Sequence, residues 1–446
     1  VALMARSASR PLLRIAWRNV RAHWRHSFGA ILSIVVGFIA IGLFEGYLAD
    51  LDRLQRDWYV QRGMMGHVII EKRGASGGDG REDPWGHALQ PADQSVIDAY
   101  LQARAEDVAT RVRILQLAGL ASTGRAGVMF VAWGLDVPES ADLRGDWAWN
   151  ATAGRSLHRS GPQGVLLGNG LGALLDCTGP APAGALRRDG KPSGDERPLT
   201  CRQPRVQLSS TTESGQLNVI EPTVVGLFDA GLKDVDNKFL HLPLALAQQL
   251  ADTRAVTMYA VLLTDEDRID AFAEGLEAAG RRHGLDLAAV PWHDHVIAEL
   301  YRRTDSIFEI YRNLVVLIVV TIAGMSVLTT MLKAVNERVR EIGTLRSLGF
   351  RRRHVVTLFT TEAALLAVVS SGLGLLGTWG VAELVNATQI SYDGGMAATP
   401  IPLTISVVPT ACAFAVLFLS GVAMLAALVP ARRAARLSIP DALGHV

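Results

Sequence analysis

Only a handful of side chains in this sequence have the type and spacing to do chemistry. Glu362 is the one acid well inside a long apolar window. A carboxylate there is costly and usually has a partner, so pairing with a nearby arginine or capping a cytosolic helix is favoured over a proton relay. His293 and His295 in "WHDHV" alternate as residues on one side of a strand do and offer two imidazoles to a metal. No third and fourth ligand stands at a recognisable spacing, so no metal site is expected. Gly372, Gly374 and Gly377 in "SGLGLLGTWG" spell G-x-G-x-x-G. A dinucleotide site needs a strand and a βα turn around that pattern. These glycines lie in an apolar run instead, where small residues let membrane helices approach closely. No G-x-x-x-x-G-K-[ST] occurs, and the single G-x-S-x-G, Gly74 to Gly78, lies in the glycine run "RGASGGDGR". The chain therefore has no P-loop; a nucleophile elbow needs a sharp strand-to-helix turn, whereas further glycines follow Ser76, so the chain reads as a non-enzyme with no cofactor of its own.

The elements that would position these residues are set by where the apolar residues fall. The chain has 446 residues, 49% of them apolar and 20% charged. Windows at 28–48, 312–333, 354–383 and 403–429 are each long enough to cross a bilayer core, which needs about 20 mostly apolar residues. The first is too long for a cleaved signal peptide and sits behind an Arg-rich segment, so it reads as a permanent anchor. Before Phe28 there are six arginines and no acid, and Lys333 to Arg353 holds seven basic residues against two acids. The tail 430–446 carries three arginines against one aspartate, while the whole chain is only +1, so the remainder is acidic. The positive-inside bias then puts both termini and the 334–353 segment in the cytoplasm and the long region 49–311 outside. The expected fold class is an integral membrane α-helical chain of four transmembrane helices, with a large extracytoplasmic α+β domain inserted between helices one and two.

Within 10–27, Leu13, Trp17, Val20 and Trp24 share a helical face flanked by arginines, the pattern of a helix lying in the membrane interface. In the external region, "GHVIIEKRG" and "YAVLLTD" read as strands. "PADQSVIDAYLQARAED" and "DEDRIDAFAEGLEAAGRRHG" read as helices. Cys177 and Cys201 flank a Gly/Pro-rich inserted segment, and an exported compartment permits either a bridge closing that loop or two free thiols. Residues 384–402 make a short external loop with Gly and Pro stops. In "NERVREIGTLRSLGFRRRH", Val335, Val339, Ile342 and Leu345 fall on one helical face and Glu337, Arg340 and Glu341 on the other. A plain connector would not need that apolar stripe, so this helix is expected to dock on something.

"NERVREIGTLRSLGFRRRHVVTLFTTEA" resembles the E-R-x-R-E-I-G-x-L-[RK]-x-x-G segment of the FtsX/MacB-like permeases of ABC transporters, and "PARRAARLSIPDAL" resembles their P-A-x-x-A-x-x-x-x-P-x-x-A-L ending. "GHVIIEK" is similar to the strand after the first membrane helix in the lipoprotein-releasing LolC and LolE branch. "GRSLHRSGPQGVLLGNGLGALLD" and "VVGLFDAGLKDVDNKFLHLPLALAQQLAD" are similar to the family's extracytoplasmic core. "DCTGPAPAGALRRDG" departs from the family, which continues there into a G-D turn and a strand.

The resemblance implies a non-catalytic permease of the bacterial cytoplasmic membrane, paired with a second permease, identical or paralogous. A dimer of a separate ATPase, which binds ATP and Mg, would drive it, and its closure would be relayed to the external domains by mechanotransmission. The implied function is extraction or movement of lipoproteins or another amphiphile at the outer face; the alternative is an FtsX-like relay that regulates a cell-wall hydrolase. Glu337, Arg338, Arg340, Glu341, Ile342, Gly343, Leu345 and Gly349 would form the coupling helix. Phe38, Ile41, Phe44 and Tyr47 would line an acyl-chain groove or simply contact membrane lipids. Nothing points to nucleic acid as a partner.

Overall fold

The computed structural model describes residues 18, 24–125, 127–145, 151–180, 197–398 and 400–436, so the interfacial helix expected over 10–27 lies almost wholly outside the described residues. The chain divides into two compact units, a membrane unit (Val1–Asp52, Asp305–Ile390 and Leu403–Val446) and a soluble unit (Arg53–Thr304 and Ser391–Pro402).

The membrane unit contains α1 (Trp24–Asp57), α2 (Glu299–Glu337), α3 (Val339–Ser347), α4 (Arg352–Thr388) and α5 (Pro409–Arg436). All but α3 are long and apolar enough to cross a membrane. Each long helix is offset from its apolar window, because the window marks only the stretch that needs lipid while helical hydrogen bonding continues into polar sequence. At α1 it continues through Asp57 and then widens into a π turn, Trp58–Arg62. α5 begins later than its window, at Pro409, after a stretch of irregular backbone over 403–408. Asn386 clamps that stretch, accepting from the Ile405 N–H at 2.9 Å and donating to its carbonyl at 3.0 Å.

Small residues bring these helices together. Ala415, Ala423, Ala427, Ala431 and Ala434 of α5 are buried in one core with Phe38 and Ala363. A Cβ on Gly374 would sit 2.7 Å from the Phe38 Cβ, and one on Gly377 would sit 2.5 Å from the Ile39 Cδ1, whereas Gly372 faces open space. Two glycines of the G-x-G-x-x-G therefore seat α4 on α1.

The soluble unit is built on an eleven-stranded mixed sheet. Its strands are β1 (Val68–Lys72), β2 (Val108–Ser122), β3 (Gly127–Leu135), β4 (Ala151–Gly154), β5 (Gly164–Gly168), β6 (Gln207–Thr211), β7 (Leu217–Ile220), β8 (Thr223–Phe228), β9 (Phe239–Pro243), β10 (Met258–Leu263) and β11 (Leu287–Pro291). The order is β11-β1-β10-β2-β3-β9-β5-β8-β4, with β6 pairing β2 and β7. β9 runs parallel to β3, and β8 to β5. Val68, Ile69 and Ile70 follow one another as apolar residues because both faces of β1 are covered, and Glu71 after them is buried as well. The helices Pro91–Ala103, Leu244–Ala251 and Ile269–Arg282 bury Ile97 and Leu101, Leu244 and Leu250, and Phe272 and Leu276 in one core. The first starts where Pro91 follows a capping box, with the Gln90 N–H donating to Asp93 Oδ2 at 3.0 Å.

Cys177 and Cys201 are bonded, S–S 2.02 Å, across a two-residue ladder of Cys177–Thr178 with Thr200–Cys201. Ser391–Pro402, within the connection between α4 and α5, belongs to the soluble unit. Ser391–Tyr392 pairs with Ile401–Pro402, the Lys233 N–H donates to the Met396 carbonyl at 3.0 Å, and the Ala398 N–H donates to Gly231 at 2.8 Å.

Candidate functional site

Between α2 and α3 the chain turns at Arg338, which leaves helical geometry at φ −114°, ψ 21°. α3 ends in a Schellman motif: the Gly349 N–H donates to the Arg346 carbonyl at 3.1 Å and the Phe350 N–H to the Leu345 carbonyl at 3.2 Å. That closure requires the left-handed backbone of Gly349, φ +93°, which a Cβ would oppose. Arg351 is extended and leads into α4. The result is a nine-residue helix between two sharp turns.

Two devices fix α3 to the long helices. Val335, just before the turn, and Ile342 are buried in the membrane core at 5% and 3% exposure, and Gly343 is buried beside Ile342. Arg338 Nη1 also donates to both carboxylate oxygens of Glu362, at 3.1 and 3.3 Å, with the two side chains only 7% and 5% exposed. The acid in the apolar window is therefore half of a buried ion pair that ties the entrance of α3 to α4.

The eight residues expected to face an ATPase separate into two sets. Arg338, Ile342 and Gly343 point inward and Leu345 is half-buried, whereas Glu337, Arg340, Glu341 and Gly349 are exposed. Of the apolar stripe expected to meet a partner, Val335 and Ile342 are buried in the core shared with α4 and α5, whereas Val339 and Leu345 are half-buried. Leu348, 74% exposed at the end of α3, is an apolar side chain left outward. Its signal in the sequence is an apolar residue directly before a glycine stop. Beside it Arg351, Arg352 and Arg353 are exposed, so the surface is a leucine among charges of both signs.

The acyl-chain groove needs a correction too. Phe38 is fully buried and Ile41 is 7% exposed, both inside the core of the membrane unit, because Gly374 leaves room for the Phe38 ring. Only Phe44 and Tyr47 of that set are half-exposed.

In the soluble unit, β11 ends at Pro291, and His293 and His295 lie in the turn that follows rather than on a strand. His293 is exposed, while His295 is buried with Nε2 2.8 Å from Ser76 Oγ and 3.4 Å from Glu71 Oε2. Sequence reasoning missed this Ser-His-Glu grouping, whose members lie 219 and 224 residues from His295. His295 Nδ1 accepts from the Ile297 N–H at 3.3 Å, so Nε2 carries the proton and cannot take one from Ser76. The grouping is a buried polar network rather than a nucleophile and its base. Among the described residues, no group of three or more His, Cys, Asp or Glu could hold a metal ion.

Residues 313–439 match the family described as FtsX-like permease C-terminal. The chain is 27% identical over 248 residues to the uncharacterized ABC transporter permease YvrN of Bacillus subtilis (strain 168), covering 52% of this chain and 57% of that one. It is 33% identical over 141 residues to the pyoverdine export ATP-binding/permease protein PvdT of Pseudomonas fluorescens (strain Pf0-1), covering 32% of this chain and 20% of that one. The chain thus spans less than two thirds of the length of either relative. The solved periplasmic region of MacB from Actinobacillus actinomycetemcomitans aligns with 55% of this chain and 95% of its own at 13% identity and TM-score 0.32. The matched residues take in most of α2 and all of α3, α4 and α5.

Proposed function

We propose that this chain is the membrane subunit of an ABC transporter of the MacB/FtsX type and that α3 is the part pushed by a separate ATPase dimer. The observation that carries this is the anchoring of α3. Its outward face exposes Arg340, Glu341 and Leu348, while Arg338–Glu362 and Ile342 lock its inward face to the long helices. Force on such an element is delivered to α4 rather than absorbed by a loop. An apolar knob among charges of both signs suits a partner surface that must be both gripped and oriented.

On this reading ATP and Mg belong to the partner, a second permease completes the complex, and both termini and α3 face the cytoplasm. The cargo is an amphiphile at the outer face. A relative named for pyoverdine export widens that class beyond lipoproteins, which rest on the "GHVIIEK" resemblance alone. Glu341→Lys and Leu348→Asp in the reconstituted complex are expected to lower ATPase turnover at least about tenfold, the scale of one lost interfacial anchor, while membrane insertion is unchanged. Normal turnover in both variants would remove α3 from the coupling role.

A further inference from the structure

A cavity of about 480 Å³ opens within the soluble unit, between the sheet and the segment Ser391–Pro402. Its walls are aromatic and include Trp58, Tyr59, Trp133, Phe228, Phe239 and Tyr301. Trp133 and Phe239 meet edge to face at 4.9 Å, and Phe228 stacks on His241 at 4.2 Å. Volumes of this order are those of small-molecule sites, which pair apolar walls with a few placed polar groups.

The polar groups are unbalanced. Arg62 is paired with Asp229, Nη2 to Oδ1 2.9 Å. Arg144 has no carboxylate within ion-pair distance among the described residues; its Nη2 lies 3.4 Å from His241 Nδ1 and its Nε has no hydrogen-bond partner. Burial, and then the nearby Arg62 charge, lower the Arg144 pKa to about 10, so it remains charged at neutral pH. Burial and the Arg144 charge hold His241 well below the ordinary imidazole value, so it stays neutral. The ionised lining groups therefore leave one net positive charge. Among the described residues, the buried N–H groups Arg144 Nε, His241 Nε2 and Trp58 Nε1 of this wall lack acceptors, while Asp229 Oδ2 is an acceptor of the wall left without a donor. Buried donors in native folds are almost always satisfied. An aromatic cavity with a surplus guanidinium and several unused donors has the chemistry of a site for an apolar molecule ending in one anionic group.

We propose that this cavity binds a monoanionic amphiphile, its apolar body among the aromatic rings and its anionic oxygens on Arg144. The site lies in the soluble unit alone and stands whether or not α3 engages an ATPase. Four residues of its wall, Gly394, Met396, Ala397 and Ile401, come from the segment joining α4 to α5.

The test uses the full chain in phosphatidylcholine nanodiscs without ATP, photolabelled with benzophenone-4-carboxylate and, for comparison, with uncharged 4-methylbenzophenone. The acid is expected to label peptides of the cavity wall saturably. Arg144→Met should raise its half-saturation about tenfold or more, the worth of a charge-assisted hydrogen bond, and leave the uncharged compound unchanged. Arg144→Lys should fall between, and Val235→Trp, which fills the cavity, should abolish labelling by both. Equal affinity for acid and uncharged compound, an unchanged acid affinity in Arg144→Met, or labelling confined to the membrane helices would overturn the proposal.

Discussion

The buried Arg338–Glu362 pair allows the anchoring of α3 to be tested quantitatively. Both side chains are at most 7% exposed and the guanidinium reaches both carboxylate oxygens, so removing either partner strands a charge where water cannot solvate it. Breaking such a pair from one side costs about 3–5 kcal/mol, whereas replacing both members by apolar residues of similar volume is often neutral or stabilising. Arg338→Met and Glu362→Leu are each expected to lose about 3 kcal/mol or more, and the double variant to recover most of it. The assay is reversible unfolding in mixed micelles, titrated with sodium dodecyl sulfate and followed by tryptophan fluorescence. A coupling energy of about 3 kcal/mol in the double-mutant cycle is the expected result. Additive losses, with coupling below about 0.5 kcal/mol, would refute the claim that these groups bind each other inside the helix bundle.

Gly349→Ala should destabilise the turn between α3 and α4 by about 1–2 kcal/mol, because φ is +93° there, and local hydrogen exchange at Phe350 should rise. Thiol titration of unfolded, unreduced protein should find Cys412 only; after reduction it should find all three cysteines, and the native unit should melt earlier, since a bridge with a sequence separation of 24 is worth about 3 kcal/mol. His241 titrates in the folded state well below 6.5, and burial lowers His67 and His158 too. Their unfolded forms therefore take up protons first, so stability is full above pH 6.5 and is lost as pH falls through the window beneath it. Denaturant unfolding at pH 7.5 and 5.5 should show that loss, and His241→Gln should reduce it; an identical slope would mean that His241 is not buried neutral.

Much of the architecture is legible in the sequence because it is local. The apolar windows locate the spans, "VIIEK" forms β1, and the periodic segments form the helices Pro91–Ala103 and Ile269–Arg282. Periodicity also shows that α3 has an apolar face, but not what covers it. That depends on α4 and α5, whose packing is not encoded within the α3 segment. The same holds for Phe38, which looks like groove lining until Gly374, far along the chain, is set against it. Ser76 with His295, and Arg144 with His241, are brought together only by the sheet order, so no spacing rule could find them.

Native mass spectrometry of the tagged chain, purified from its own membrane, tests whether it works as the force-receiving part of an ABC complex. The expected mass is that of two permease chains with two ATPase chains, with dissociation of the ATPase when Glu341→Lys and Leu348→Asp are combined. A stable assembly that lacks any ATPase, whether the chain alone or the chain with a cell-wall hydrolase, would contradict it.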